Sequence, residues 1–251
     1  MPDPPASWHS PDLAAKFLQN VRGAIPLSIE QIDMMLRLLS AARGERLENF
    51  LDLGCGDGVL SSAILDENPA ARGCLVDYSE TALAVAREQL GPHAARVEFI
   101  LADYAEPGWM SALAAARPFD AVVSGFAAQH SAADRKRALF GEVFQLLKPE
   151  GIFINIEHVA SATRWTESIW DDCMIDAIFG QELRASADHS RAEIAREYYA
   201  RAAQQAGALA PLEVQCDWLR EAGFESVDCY LKVLELAVFG GQRPGAAGRE
   251  L

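Results

Sequence analysis

Short apolar runs recur through the first two thirds of the chain. Each run is bounded by Gly, Asp or Pro, which is typical of strands that are buried on both faces of a parallel sheet. We therefore expect five buried strands: NFLDL (49–53), GCLVD (73–77), VEFILAD (97–103), FDAVVSG (119–125) and GIFINIE (151–157).

Helical patterns lie between these runs, at residues 79–90 and 134–151, and the second ends at a Pro-Glu-Gly stop. The apolar positions of both follow one stripe at helical spacing: Leu83, Ala86 and Leu90, then Leu139, Val143 and Leu146. Alternating strands and helices predict right-handed crossovers in a doubly wound α/β sheet.

A further helical pattern precedes the first strand, in SIEQIDMMLRLLSAA. Ser28 and Gln31 form a capping pair, and the apolar stripe is Ile29, Ile32, Leu36 and Leu39. We expect this helix to pack on the sheet within an N-terminal helical cap over residues 1–45.

Residues 160–210 break the alternation, because they are Ala-rich and show helical patterns only. We interpret them as helices inserted after the fifth strand, forming a lid. Their aromatic residues either roof a substrate pocket or belong to the core: Trp165, Trp170, Tyr198 and Tyr199. The segment 223–241 is long enough for two strands joined by a tight turn.

Length and charge narrow the function classes. The 251 residues are 50% hydrophobic, so we expect a single domain over 1–251. The net charge of -14 repels other anions and so makes nucleic acid and anionic lipid unfavourable partners. The N-terminus lacks the pattern of a signal peptide and no apolar run approaches the roughly 20 residues of a membrane span, so we expect a cytoplasmic protein.

The five cysteines are scattered along the chain and contain no C-x-x-C pair: Cys55, Cys74, Cys173, Cys216 and Cys229. This pattern is typical of reduced, buried thiols, and we predict no metal site.

A glycine-rich turn follows the first strand, where Asp52, Gly54, Gly56 and Gly58 form D-x-G-x-G-x-G. Glycines allow backbone to approach a ligand, and a helix N-terminus offers free N–H groups. Val59 follows the third glycine, which therefore comes one place earlier than in the dinucleotide-binding G-x-G-x-x-G. The turn fits a ligand without a pyrophosphate, or an ordinary strand-to-helix connection.

Two acidic residues favour the interpretation that the turn binds a ligand. Asp77 ends the second strand, where a carboxylate can accept hydrogen bonds from ribose hydroxyls, and Asp103 ends the third, where one can accept from the amine of adenine. Together they predict a nucleoside pocket.

With these residues the sequence resembles the class I S-adenosylmethionine-dependent methyltransferases. LDLGCGDG, VDYS and LADY are similar to their first three motifs, and LLKPEGIFIN to the lead into strand five. The resemblance is strong over residues 47–158 and extends to the final strand pair. It implies a Rossmann-like, seven-stranded, mostly parallel sheet with an antiparallel last strand, S-adenosylmethionine as cofactor and S-adenosylhomocysteine as product.

The resemblance also implies roles for single residues. The methionine part would lie against the first motif and the segment after strand four, Asp77 would hold the ribose, and Tyr78 would cover an adenine whose edge Asp103 and Tyr104 frame. The implied cofactor residues are Asp52, Gly54, Cys55, Gly56, Asp77, Tyr78, Asp103, Tyr104, Ser124, Gly125 and Phe126.

Within this class, VRGAIP and the segment CDWLREAGFESVDCYLKVLELAVFGG resemble small bacterial enzymes related to the tRNA wobble-uridine carboxymethyltransferases, which use a carboxylated cofactor. That group carries Pro-Gly-Tyr, whereas here Pro26 precedes Leu27 and Ser28. Arg22 is either a clamp on the cofactor's methionine carboxylate or a surface ion-pair partner.

Two histidines are candidate catalytic bases, since each follows a strand at the carboxyl edge of the sheet: His130 and His158. His130 alternatively caps the next helix. We favour methyl transfer to O, N, S or C of a small-molecule substrate. The alternatives are tRNA modification, for which a stripe of Arg184, Arg191, Arg196 and Arg201 would serve, and non-catalytic cofactor binding. A homodimer is left open.

Overall fold

The computed structural model describes residues 25–43, 47–113, 118–184, 189–204 and 209–245, without the side chains of His130 and of residues 201–204. Seven strands form one sheet in the order β3-β2-β1-β4-β5-β7-β6. They are β1 (Asn49–Leu53), β2 (Arg72–Asp77), β3 (Val97–Leu101), β4 (Phe119–Gly125), β5 (Leu147–His158), β6 (Glu225–Val233) and β7 (Leu236–Gln242). Strands β1 to β5 are parallel, and β7 is antiparallel to β5 and β6. This confirms the predicted α/β, Rossmann-like, doubly wound sheet.

Helices cover both faces of the sheet. The seven α-helices among the described residues are α1 (Ser28–Arg43), α2 (Val59–Glu67), α3 (Glu80–Gln89), α4 (Ala133–Leu146), α5 (Arg164–Arg184), α6 (Arg191–Gln204) and α7 (Leu212–Ala222). One core contains residues of α1, α2 and α3, and the other contains residues of α4 and α7. Leu83, Leu90, Val143 and the rest of the two predicted stripes are buried, as expected.

The buried face of α1 differs from the predicted stripe. Gln31, Met35 and Leu39 face the core, whereas Ile29 is 79% exposed. The capping pair is also wrong, because Gln31 Nε2 donates to the carbonyl of Pro26 at 2.9 Å. This bond allows the polar side chain of Gln31 to be buried. Of the predicted stripe, Leu39 is buried and Ile32 and Leu36 pack against the core.

Two element boundaries also differ from the sequence prediction. Helix α4 ends at Leu146, and β5 begins at once, so that the expected Pro-Glu-Gly stop lies inside the strand. Helix α7 was not expected. It ends at Gly223, whose φ of 103° suits only glycine at low cost.

The insertion after β5 consists of α5 and α6, and its two ends lie side by side. Ala160 forms a parallel bridge with Pro211, and its N–H donates to the carbonyl of Ala210 at 3.1 Å. Trp170 and Met174 of α5 pack against Leu236 at the start of β7. No described helix is both long and apolar enough to cross a membrane.

Candidate active site

The glycine turn between β1 and α2 is built from backbone in the left-handed region. Gly54, Gly56 and Gly58 have φ angles of 71°, 57° and 81°. A Cβ on Gly54 would lie 2.3 Å from Cβ of Ala127, in the segment after β4. The turn is fixed to the next strand, because the N–H groups of Gly54 and Cys55 both donate to the carbonyl of Val76, at 2.8 and 3.0 Å.

Asp77 joins the end of β2 to this turn. Its carboxylate accepts from the N–H of Gly56 and from the N–H of Ser79, both at 2.9 Å, and the residue is 7% exposed. Burial raises the pKa of Asp77, and these backbone donors, with that of Tyr78, offset part of the rise. Each carboxylate oxygen has a second lone pair, so the group can also accept from ribose hydroxyls.

Asp103 and Tyr78 lie at the same edge. The negative charge of Asp103 contributes to the raised pKa of Asp77, and Asp103 itself is exposed and accepts from the N–H of Ala105 at 2.8 Å. Tyr78 is half-buried, and burial, followed by the charges of Asp77 and Asp103, raises its pKa to about 12. The structure thus brings together the two acids that the sequence singled out.

Tyr104 lies inside the wall of the site. Its hydroxyl donates to the carbonyl of Ala127 at 3.0 Å, and burial raises the pKa of this phenol well above its ordinary value. The hydroxyl would be 3.3 Å from a Cβ on Gly54. Tyr104 therefore packs next to the glycine turn and connects it to the segment after β4.

Three further residues from the motifs are interior. Asp52 accepts from Ser61 Oγ at 2.6 Å, and Ser124 Oγ donates to the carbonyl of Leu53 at 3.0 Å. Cys55 is buried, and its pKa is raised by burial and by the charge of Asp52, so it is a protonated thiol. These side chains hold the β1 and β4 ends in place.

Phe126 marks the boundary between the turn and the inserted helices. It has a φ of 55°, and its N–H donates to the carbonyl of Ile156 at 2.8 Å. Its half-buried ring packs against the core that contains Cys55 and also against the cluster of Trp170, Met174 and Leu236.

Of the two histidines, the structure defines His158. Its Nε2 lies 2.6 Å from Oε2 of Glu235, in the turn between β6 and β7, and its ring centroid is 5.3 Å from that of Trp170. His130 ends a short 3-10 turn, Ala128–His130, but its side chain lies outside the described residues, as does the whole of Arg22.

Sequence reasoning missed a buried charged pair next to His158. Glu157 and Lys136 are both fully buried, and Glu157 also accepts from the N–H of His158 at 3.1 Å and from Asn155 Nδ2 at 3.4 Å. Burial raises the pKa of Glu157 to about 7, against the field of Lys136. A charge inside an apolar strand pattern, as in GIFINIE, was the available signal.

Known proteins resemble the chain over this region. Residues 50–151 match a family model described as a methyltransferase domain. The demethylmenaquinone methyltransferase of Leptospira interrogans is 31% identical over 123 residues, which cover 48% of this chain and 47% of that protein. The release factor glutamine methyltransferase of Cereibacter sphaeroides is 44% identical over 70 residues, or 27% and 25% of the two chains. The chain thus spans at most about half the length of these relatives.

A solved structure is similar over nearly the whole chain. Human N-acetylserotonin methyltransferase, in complex with S-adenosylmethionine, superposes with a TM-score of 0.61 at 13% identity, covering 95% of this chain and 58% of that one. At this identity the likeness concerns the fold. The proteins compared here do not specifically support the tRNA carboxymethyltransferase subgroup.

The strand order, the glycine turn tied to Asp77 and the matched family model agree with one another. Over residues 50–151 the chain therefore matches a methyltransferase domain, and its sheet has the strand order of the Rossmann-like methyltransferase fold.

Proposed function

We propose that the protein transfers a methyl group from S-adenosylmethionine to a small-molecule acceptor. The observation that carries this proposal is the bond between the Gly56 N–H and Asp77, which joins the glycine turn to the end of β2. It places glycine backbone and a carboxylate that accepts hydrogen bonds at the carboxyl edge of the sheet, where α/β folds bind ligands.

The residues present fit this cofactor. Glycine is required at position 54 by the packing of the turn itself, because a Cβ there would lie 2.3 Å from Cβ of Ala127, and this packing holds the turn against the segment after β4. Asp77 would accept from the ribose hydroxyls, Tyr78 would cover the adenine, and Asp103 would meet its amine. When bound, the cofactor supplies an activated methyl carbon, so the protein mainly has to position the acceptor in line with it.

We propose that the inserted helices, together with the segment before α1, form the lid over the acceptor. The contacts that support this are those of Phe126 and Ile25 with the cluster of Trp170, Met174 and Leu236, because this cluster joins α5 and the start of β7 to the segment after β4 and to the start of the described chain. A lid would exclude water and strengthen the electrostatics around the methyl group. His130 and His158 stay the proposed bases beneath it.

A small acceptor is favoured over tRNA by the charge of the insertion as well as by the net charge of -14. Arg191 is paired with Asp172 and Asp176, at 3.0 and 2.6 Å, and Arg196 lies 4.0 Å from Glu193. Arginines already paired with acids attract phosphates weakly. We therefore expect no methyl or carboxymethyl transfer to purified tRNA at physiological salt.

Calorimetric titration tests the cofactor, and a labelling experiment tests the reaction. We expect heat with S-adenosylmethionine and with S-adenosylhomocysteine, but none with NAD. The protein is then incubated with isotopically labelled cofactor and a metabolite extract, and one or more small molecules should gain a methyl mass. Binding of NAD without binding of S-adenosylmethionine would contradict the proposed cofactor. Binding of S-adenosylmethionine without any labelled product would favour a non-catalytic binding protein.

A further inference from the structure

A cluster of titratable and aromatic side chains lies beyond the cofactor turn, where β5, the β6–β7 turn and the inserted helices meet. His158 contacts Glu235 and packs against Trp170, as described above. Next to Trp170, Asp171 Oδ1 accepts from the hydroxyl of Tyr198 at 2.9 Å. The charge of Glu235 acts on both members of this pair, so the groups form one cluster.

The hydrogen bond to Glu235 determines which nitrogen of His158 carries the proton. A carboxylate only accepts hydrogen bonds, so a neutral imidazole must donate from Nε2. Nδ1 is then left with its lone pair and can accept a proton. Glu235 is 4% exposed, whereas the His158 side chain keeps 25% of its surface accessible, so the buried carboxylate orients a ring that a ligand can reach.

A second observation indicates that an oxygen belongs in this cluster. Trp170 is 3% exposed, and its indole N–H has no hydrogen-bond partner among the residues that the structure describes. A buried donor without a partner is costly, and an acceptor oxygen would satisfy it.

The surroundings restrict the rest of the acceptor. Phe126 and Tyr198, both half-buried, pack against the cluster of Trp170, Met174 and Leu236, so the region is lined by apolar and aromatic side chains, which favour an aromatic acceptor. No described Lys or Arg forms an ion pair with Glu235 or Asp171, and burial followed by nearby acids raises the pKa of Asp171. The local negative charge disfavours an anionic acceptor.

We propose that His158, Glu235 and Trp170 form the seat of the acceptor's hydroxyl group, and that the acceptor is an uncharged, planar aromatic alcohol; this deepens the proposed function and rests on it. Glu235 is a positioning residue for His158. As the acceptor oxygen forms its bond to the methyl carbon, the carbon–sulfur bond breaks and its electron pair stays on sulfur. The hydroxyl proton passes to Nδ1 of His158 and then to water, which balances the charge that sulfur loses.

The test uses the full chain and two matched probes, 2-naphthol and 2-naphthoate. In the presence of S-adenosylhomocysteine, 2-naphthol should shift the indole N–H resonance of Trp170, which the Trp170→Phe variant identifies by its loss. 2-Naphthoate should leave this resonance in place. With S-adenosylmethionine, 2-naphthol should yield 2-methoxynaphthalene.

Two substitutions separate the positioning role from a structural one. Glu235→Gln should lower kcat for 2-naphthol about ten-fold or more, with KM changed less than about three-fold, because orientation of a general base affects the chemical step. Nitrogen-15 shifts should show that the Nε2–H tautomer of His158 is less populated, because a side-chain amide can donate to the ring nitrogen as well as accept from it. Glu235→Asp should recover part of kcat, and Glu225→Gln, which removes an exposed acid from the same hairpin, should match the parent protein.

The results separate a failure of this proposal from a failure of the proposed function. Absence of cofactor binding would overturn the function itself. A protein that binds the cofactor but neither binds nor methylates 2-naphthol, or that binds 2-naphthoate equally well, would overturn the hydroxyl seat. A parental kcat and an unchanged His158 tautomer in Glu235→Gln would overturn the role of Glu235.

Discussion

At the scale of single residues, Asp77 has two tasks that depend on the same carboxylate. It fixes the glycine turn through the N–H of Gly56, and in the proposed function it would also accept hydrogen bonds from the ribose of the cofactor. Because both tasks need lone pairs and negative charge, an uncharged replacement of the same shape affects them together.

Asp77→Asn should weaken binding of S-adenosylhomocysteine by about 1.5 to 3 kcal/mol, the range for hydrogen bonds to charged groups. The new amide would also place a donor near the N–H of Gly56 or Ser79. Titration calorimetry measures the effect, and Asp33→Asn is the control, because Asp33 is an exposed partner of Arg37 on α1. An unchanged dissociation constant in a folded Asp77→Asn variant would show that the ribose is held elsewhere.

The sequence predicts the arrangement around the glycine turn better than the arrangement around His158. Gly54, Asp77 and Asp103 follow strands whose ends meet at one edge, so local pattern and topology suffice to place them together. The contact between His158 and Glu235 joins positions 77 residues apart, in a turn that no motif marks. Its prediction would require the register of β5 on β7, which hydrophobicity does not determine.

At the scale of elements, β5 separates two chemical environments. Its even-numbered residues, Ile152, Ile154 and Ile156, face the core with α1 and α2, whereas Phe153 faces the core with α4 and α7. Glu157 lies in line with Phe153 at the end of that second face, where Lys136 of α4 compensates its charge. The strand and the helix thus bring a buried carboxyl group and a buried amino group within each other's electrostatic influence.

Removal of one member of this pair should cost more than removal of both. At pH 8, where Glu157 is mostly ionised, Glu157→Gln removes the carboxylate whose charge favours the protonated form of Lys136, and we expect the free energy of unfolding to fall by about 0.5 to 3 kcal/mol. Glu157→Gln with Lys136→Met should recover most of it, as measured by urea denaturation. The exposed pair of Arg137 and Glu221 provides the control, since its double substitution, Arg137→Met with Glu221→Gln, should change stability by less than about 1 kcal/mol.

The pair also predicts a pH dependence. The pKa of Glu157 is about 7 in the folded state against 4.5 ordinarily, so folding takes up a proton between these values. Its contribution is therefore largest below pH 4.5 and is lost as pH rises towards 7. The double variant should lack this slope when its unfolding is compared with that of the parent protein at several pH values. Parallel curves would show that Glu157 does not titrate in this window.

At the scale of the whole molecule, the cofactor turn and the inserted helices lie on either side of Phe126. The insertion contacts the rest of the protein through a small apolar cluster at Trp170, Met174 and Leu236. Much of its outer surface is polar, although Trp165 and Tyr199 are 71% and 49% exposed. Elements with so few buried contacts open at low cost, as lids must.

Hydrogen exchange tests the lid directly. Amides of α5 and α6 should become protected when S-adenosylhomocysteine and an acceptor are both bound, because the acceptor would lie between these helices and the sheet. Protection of β1 and β4 should change little. Exchange in α5 and α6 that ignores both ligands would contradict the lid, and so would equal protection of all helices.

The closed base of the insertion has a consequence for how acceptor specificity can change. Since Ala160 and Pro211 are paired, the insertion begins just after β5 and ends just before α7 at one point of the fold. Whatever lies between them can be lengthened, shortened or exchanged while the join stays the same, and chain-closure entropy varies only slowly with the length of such a loop. Residues 161–210 are thus a natural cassette, which a laboratory could transplant between related domains to redirect one cofactor-binding frame to a new acceptor.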